Sequence, residues 1–234
     1  MRIAASAKKL LPSEPVSRTG KKRAKPQEIC VAIKDDYAWT VFFGKAPAGG
    51  KMFAPSHAFS CTVGFPDTLK ESKPNEFIFR DLPSFAAAVA SAPAAAGQPA
   101  SETMNACVFR ESNKMITVYL IPSAKNPKNA IIGGDYRIIF SADGSKALKN
   151  DVLHRREIEI STDPGKGEVI SGGFHEHLAG DLPTETDVAL VLLHPAIAPH
   201  YVAGPAWFSE ISGEGKIIIA GKTSEMLNEH QTLE

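Results

Sequence analysis

Apolar and polar positions alternate with a period of two over much of this chain, the spacing of half-buried strands. Residues 29–33 and 38–43 form two such runs around Lys34-Asp35-Asp36-Tyr37, which predicts a hairpin. Shorter strand patterns lie near 59–63 and 76–79. Pro83 then opens a predicted helix through Ala90, with Ala and Val on its buried side. A second hairpin is expected from 106–110 and 115–121 around Glu111-Ser112-Asn113-Lys114. Residues 135–140 predict a strand running into the Asp143-Gly144 turn. Further strands are expected at 156–160, 168–174, 201–202, 206–211 and 216–219. The apolar run 187–193 fits helix or strand equally, because a short continuous run carries no period. The pattern predicts an α+β fold: a mixed, largely antiparallel sheet with one or two helices.

Composition divides the chain further. Residues 92–102 are rich in Ala, Pro and Gly and read as a linker between an N-terminal α+β subdomain, 27–91, and a C-terminal α+β domain, 103–222. Residues 223–234 read as a polar tail. The 234 residues carry 26 basic and 26 acidic side chains, but the balance is uneven. Residues 1–26 hold eight basic side chains against the single acid Glu14 and have no aromatic residue. That segment reads as a disordered basic arm, preceding a body with a net negative charge. Its stretch 18–25 suits an acidic partner or nucleic acid, although no interleaved aromatics offer base stacking.

Several function classes find no support. No apolar run approaches the ~20 residues of a membrane helix, and the apolar stretch after Arg2 is too short for a signal peptide. A cytoplasmic protein is expected. Cys30, Cys61 and Cys107 are odd in number and widely spaced, which suits neither a disulfide framework nor a zinc knuckle. Gly133-Gly134 lacks the spacing of a nucleotide fingerprint and reads as a strand-entry turn. No GxSxG elbow singles out a nucleophilic serine. His194 and His200 flank Pro-containing sequence and are expected on a surface loop, and Trp39 and Trp207 as core or interface anchors.

One segment carries chemistry. His175 and His177 stand two apart at a strand end, so both imidazoles face one way. Asp187 follows at the start of the apolar run, four residues after Pro183. Two neutral imidazoles and a carboxylate are suitable zinc ligands, with a fourth position left for water. The same residues also admit a purely structural reading. Thr184-x-x-Asp187 is a capping-box variant for a helix beginning there, and the histidines would then occupy the solvated face of an edge strand.

His175-x-His177, followed by Thr184 and Asp187 three residues later, resembles the JAMM (MPN-type) metalloproteases, which remove ubiquitin-like modifiers or cleave related amide bonds. The resemblance covers about twenty residues. It implies that His175, His177 and Asp187 hold zinc, and that Thr184, where the family has Ser, helps to stabilise the oxyanion. The spacer from His177 to Thr184 is one residue shorter than usual, and Leu178 replaces the common Pro. The family's upstream catalytic Glu has no clear match in this chain; Glu111, at the end of a predicted strand, is the candidate for it, and Glu76 is a poorer one. Residues 131–220 also resemble bacterial proteins that share Gly133-Gly134-Asp135-Tyr136-Arg137 and a Pro-Thr-Glu-Thr-Asp-Val segment, a likeness that implies a fold without an activity.

Two functions follow from this reading. The first is a soluble, non-catalytic interaction protein without a cofactor, whose basic arm and sheet edge serve a protein partner. The second is a zinc-dependent hydrolase of JAMM type acting through His175, His177, Asp187, Glu111 and Thr184.

Overall fold

A computed structural model describes residues 28–34, 37–45, 54–62, 65–72, 82–97, 104–122, 124–126, 128–178 and 180–231. The basic arm 1–26 and the strand expected at 76–79 lie outside the described residues. Contacts divide the chain into two compact units that interleave in sequence. One comprises Met1–Leu120 and Tyr136–Val152, the other Ile121–Asp135 and Leu153–Glu234. Most of the strand pairs are antiparallel, and three α-helices occur among the described residues. Among the described residues no helix is long and apolar enough to cross a membrane.

Among its described residues the first unit holds two four-stranded sheets and one helix. Strands β1 (Glu28–Lys34), β2 (Ala38–Lys45), β3 (Ala54–Thr62) and β4 (Phe65–Glu71) follow one another in space as in sequence, the cheapest topology for antiparallel neighbours. The second sheet has the order β5 (Met104–Arg110), β6 (Ile116–Pro122), β8 (Tyr136–Phe140), β9 (Ala147–Val152). Helix α1 (Leu82–Ala95) buries Leu82, Phe85, Ala86, Val89 and Ala92, spaced three and four apart along one face. It runs four residues into the stretch expected to be a linker, because Ala92 completes that buried face. Val31, Phe42, Phe85, Val108, Ile116, Ile138 and Phe140 belong to one apolar cluster. Residues 104–120 therefore share a core with the N-terminal strands, and the chain does not divide at 92–102.

The second unit contains the pair β7 (Asn129–Ile132) and β10 (Ile158–Ser161), and a four-stranded sheet ordered β11 (Gly173–Glu176), β12 (His200–Ala203), β13 (Trp207–Ile211), β14 (Ile217–Lys222). β11 and β12 are parallel, with Gly173 opposite His200 and His175 opposite Val202. Parallel neighbours need a crossover, and this requirement resolves the ambiguous run: Glu185–Leu193 is helix α2. The supposed polar tail is largely helix α3 (Thr223–Gln231). Strand β11 is shorter than the pattern at 168–174 suggested, since residues 168–172 are irregular. Val191, Val202 and Ile211 form a small buried apolar cluster, with Val188 and Ala198 against it. Much of the remaining described interior is polar: His175, His177, Thr186, Asp187, His200 and Ser209 are all buried.

Candidate metal centre

The centre begins with the pleat of β11. His175 and the next inward position, His177, are 5% and 7% exposed, whereas Phe174 and Glu176 point outward and are exposed. The histidines thus sit on the inner face of the sheet and not on the solvated face that the structural reading required. His200 on β12, expected at the surface, is completely buried. Its ring lies where a side chain on Gly173 would stand, because a Cβ there would overlap His200 Nδ1. The two sheet positions are complementary, a missing side chain making room for an imidazole.

Helix α2 delivers the carboxylate. Thr184 is its N-cap, and Asp187 is the third residue of the first turn. The Thr184 backbone N–H and hydroxyl both donate to Asp187 Oδ2, at 2.6 and 2.8 Å, while Asp187 N–H donates weakly to Thr184 Oγ1 at 3.4 Å. The capping box is complete, and it orients Asp187 toward the histidines. The Thr184 hydroxyl proton is spent inside this cap.

A fourth group arrives from a part of the chain to which the sequence reading gave no role. His154 lies in the irregular segment between β9 and β10. Its Nδ1–H donates to Asp135 Oδ1 at 2.7 Å, and Leu153 N–H donates to the Asp135 carbonyl at 3.0 Å. Gly133 makes this approach feasible. Its φ of +83° is one that L side chains rarely adopt, and a Cβ on it would overlap the Arg156 carbonyl oxygen. The expected strand-entry turn at Gly133-Gly134 is therefore also what seats the 153–156 segment beside Asp135.

These elements bring four donors together. His175 Nε2 lies 3.0 Å from His177 Nε2 and 3.2 Å from Asp187 Oδ1. His177 Nε2 lies 3.3 Å from Asp187 Oδ2. His154 Nε2 lies 2.8 Å from His177 Nε2 and 3.5 Å from Asp187 Oδ1. One ligand atom from each of the four residues can be chosen so that all lie within 4.8 Å of one another. Ligands on a tetrahedral ion with bonds of ~2.0–2.2 Å stand about 3.3 Å apart, and the contacts among His175, His177 and Asp187 approach that spacing, with Asp187 offering Oδ1 toward His175 and Oδ2 toward His177. The outer ring nitrogens are also occupied: His177 Nδ1–H donates to Leu182 O at 3.1 Å, and His175 Nδ1 is 2.8 Å from His200 Nε2. Such outer contacts fix ring orientation and tautomer in metal sites.

The electrostatics follow from this crowding. Burial works to raise the Asp187 pKa, but hydrogen bonds from His175 and His177 and the charges of His175 and His154 hold its carboxyl far below the usual range. For His154, burial favours the neutral ring, yet the hydrogen bond and charge of Asp135, with Asp187 beyond, leave the pKa raised. His200 is lowered to about 4 by burial and by the neighbouring His175, against the opposing charge of Asp187. Its Nδ1 has no hydrogen-bond partner among the described residues.

Of the residues singled out from sequence, His175, His177, Asp187 and Thr184 come together in the second unit. Glu111 belongs to the first unit, in the turn after β5, where its carboxylate accepts a hydrogen bond from Thr117 Oγ1 at 2.9 Å. Glu76 lies outside the described residues. Cys61 and Cys107 form no disulfide and belong to the first unit, so the clustered donors are nitrogen and oxygen only. Trp207, expected as an anchor, is 41% exposed; the Trp39 side chain is outside the described set. His154 and Asp135 escaped detection because neither stands in a spaced motif; the only sequence signal near them is the glycine pair before Asp135. A cleft of about 260 Å³ touches His177 and is lined also by Glu176, Leu178, Gly204 and Leu227.

Comparison of the chain with protein-family models, with curated proteins and with solved structures gives no match.

Proposed function

We propose that this protein is a zinc-dependent hydrolase whose metal is held by His175, His177 and Asp187. The observation that carries the reading is the convergence of these three donors at 3.0–3.3 Å in a buried site. The donor set favours catalysis over a purely structural zinc. Structural zinc sites are typically rich in thiolate, whereas imidazole and carboxylate sets are typical of hydrolytic centres. A zinc ion bound there would polarise a substrate carbonyl and lower the pKa of a bound water. Thr184 is a positioning residue in this scheme, since its two hydrogen bonds aim the Asp187 carboxylate. The cleft that touches His177 would be the approach from solvent. Amide and isopeptide bonds are the substrates to test, following the resemblance to JAMM enzymes.

The test is zinc content of untagged protein, wild type against His177→Ala, followed by hydrolysis of isopeptide substrates. Near-stoichiometric zinc that disappears in the variant, with hydrolysis in the wild type alone, is the expected result. Wild-type protein that holds no zinc after incubation with the metal and desalting overturns the proposal.

A non-catalytic binding role is the second reading, favoured by the outer face of the same sheet. Phe174 and Tyr201 both stack on Phe208, with ring centroids at 6.3 and 5.7 Å, and Phe174 is half exposed. Ile218 on the edge strand β14, opposite Glu210 and so on the same face as Tyr201, is exposed as well. An apolar face of this kind suits a protein partner. Under this reading, His177→Ala leaves partner binding intact and no hydrolysis is found in the wild type.

A further inference from the structure

The three-ligand scheme leaves Asp135 and His154 without a role, although both are drawn into the centre. We propose that His154, oriented by Asp135, is a fourth protein ligand, so that the resting metal site is closed to water. This inference rests on the hydrolase reading's metal site and adds the state in which that site waits.

The argument is one of proton bookkeeping. A carboxylate only accepts, so the 2.7 Å contact with Asp135 places the His154 proton on Nδ1. A carbonyl only accepts, so the contact with Leu182 O places the His177 proton on Nδ1. Each ring then turns its Nε2 toward the centre, where as a metal ligand it would present a lone pair, and these two atoms lie 2.8 Å apart. Two lone pairs at that distance repel unless a positive charge stands between them. A shared proton serves one such contact. Here His175 Nε2 approaches the same His177 atom at 3.0 Å, and the Asp187 carboxylate closes on all three rings at 3.2–3.5 Å. One cation answers all of these contacts together. The buried Asp135 behind His154 is the carboxylate–histidine–metal arrangement that raises ligand basicity and fixes the ring.

Four protein ligands would fill the four positions of a zinc shell, with His154 and His177 closer together than in a regular tetrahedron, whereas a catalytic site keeps one position for water. The four are unequal. His175 and Asp187 are held by a sheet strand and a capped helix, and His177 directly continues β11. His154 sits on irregular backbone, its side chain 11% exposed against 2–4% for the others. It is therefore the ligand that yields when substrate enters.

The test replaces zinc by cobalt(II), whose visible spectrum reports coordination, and titrates the loaded protein with azide. The expected result is an unchanged spectrum in the wild type and a saturable spectral change in His154→Ala, whose vacated position admits the anion. Asp135→Ala is the second variant. It keeps the imidazole but removes its anchor, and is expected to weaken cobalt binding by ~10–100-fold. A wild-type spectrum that responds to azide as His154→Ala does overturns the closed site and leaves the three-ligand hydrolase standing. Should His154→Ala not fold, the same two outcomes are read from the wild-type titration alone. Wild-type protein that binds neither cobalt nor zinc overturns the hydrolase reading itself, so the two failures are distinct.

Discussion

Asp187→Asn separates the two duties of one carboxylate. In the wild type Asp187 closes the capping box with Thr184 and faces three histidines while only 2% exposed. Asparagine keeps the size and an oxygen that can accept from Thr184 N–H, so the helix cap survives. The anionic donor is lost. With zinc at a hundredfold excess over its dissociation constant, binding to the native state alone stabilises it by ~2.7 kcal/mol. For a unit of about 100 residues each kcal/mol shifts the melting temperature by ~4–8 °C, so the wild type is expected to melt ~10–20 °C higher in zinc than in chelator. In Asp187→Asn that increment should shrink, since only the imidazoles remain as donors. The chelated variant should also lose ~1.5–3 kcal/mol for each charge-assisted bond given up by His175 and His177, and Asp187→Ala a further ~1 kcal/mol for the cap. Thermal denaturation with zinc or EDTA, followed by circular dichroism, measures each quantity. A zinc-dependent rise as large in Asp187→Asn as in the wild type refutes the assignment of Asp187 to the metal. No rise in the wild type leaves Asp187 with the cap alone.

Further expectations test the frame around the centre. Gly133→Ala should destabilise the protein by more than ~1 kcal/mol, since the residue combines a left-handed φ with contact against the Arg156 carbonyl; it should weaken zinc binding as well, read by competition with a chromophoric chelator. Thr184→Ala should cost ~1 kcal/mol in chemical denaturation, with Thr184→Ser near wild type because the hydroxyl that caps and aims Asp187 is retained; equal losses in the two variants would contradict the cap. His200 gives a pH signature in the chelated protein. Its folded pKa, about 4, lies below the ~6.5 of the unfolded chain, so the unfolded state takes up the proton first as pH falls. The stability due to neutral His200 is complete above ~6.5 and is lost between there and 4, at up to ~1.4 kcal/mol per pH unit. The raised His154 works in the opposite sense, so the measurement is the difference in denaturation midpoint between wild type and His200→Gln across that window. An identical pH dependence in the two proteins would show that His200 does not titrate as its burial requires.

Local chemistry alone determined several parts of this protein. The spacing of His175 and His177 placed both rings on one face of a strand, since side chains on a pleat repeat every two residues. Thr184 and Asp187 marked a helix start, because their side chains satisfy backbone groups within the same turn. The hairpin of β1 and β2 was legible for the same reason, its alternation and its turn being contiguous. The parts that depend on distant segments were not legible. Whether 187–193 became helix or strand was settled by the parallel pairing of β11 with β12, which needs a crossover between them. The helix at Thr223–Gln231 was hidden by a polar composition that reads as tail, yet it packs against β13 and β14. Residues 104–120 joined the N-terminal core through side chains such as Val108 and Val118, a pairing that no linker composition announces. The centre divides in the same way. Histidines two apart can be found by inspection, but His154 stands 21 residues before His175, and Asp135 a further 19. They meet the centre only because Gly133 and Gly134 let one segment press against another. Tertiary packing also buried the cluster, and burial is what makes four ordinary side chains act on one another: in a low-dielectric interior each charge is felt by all the others.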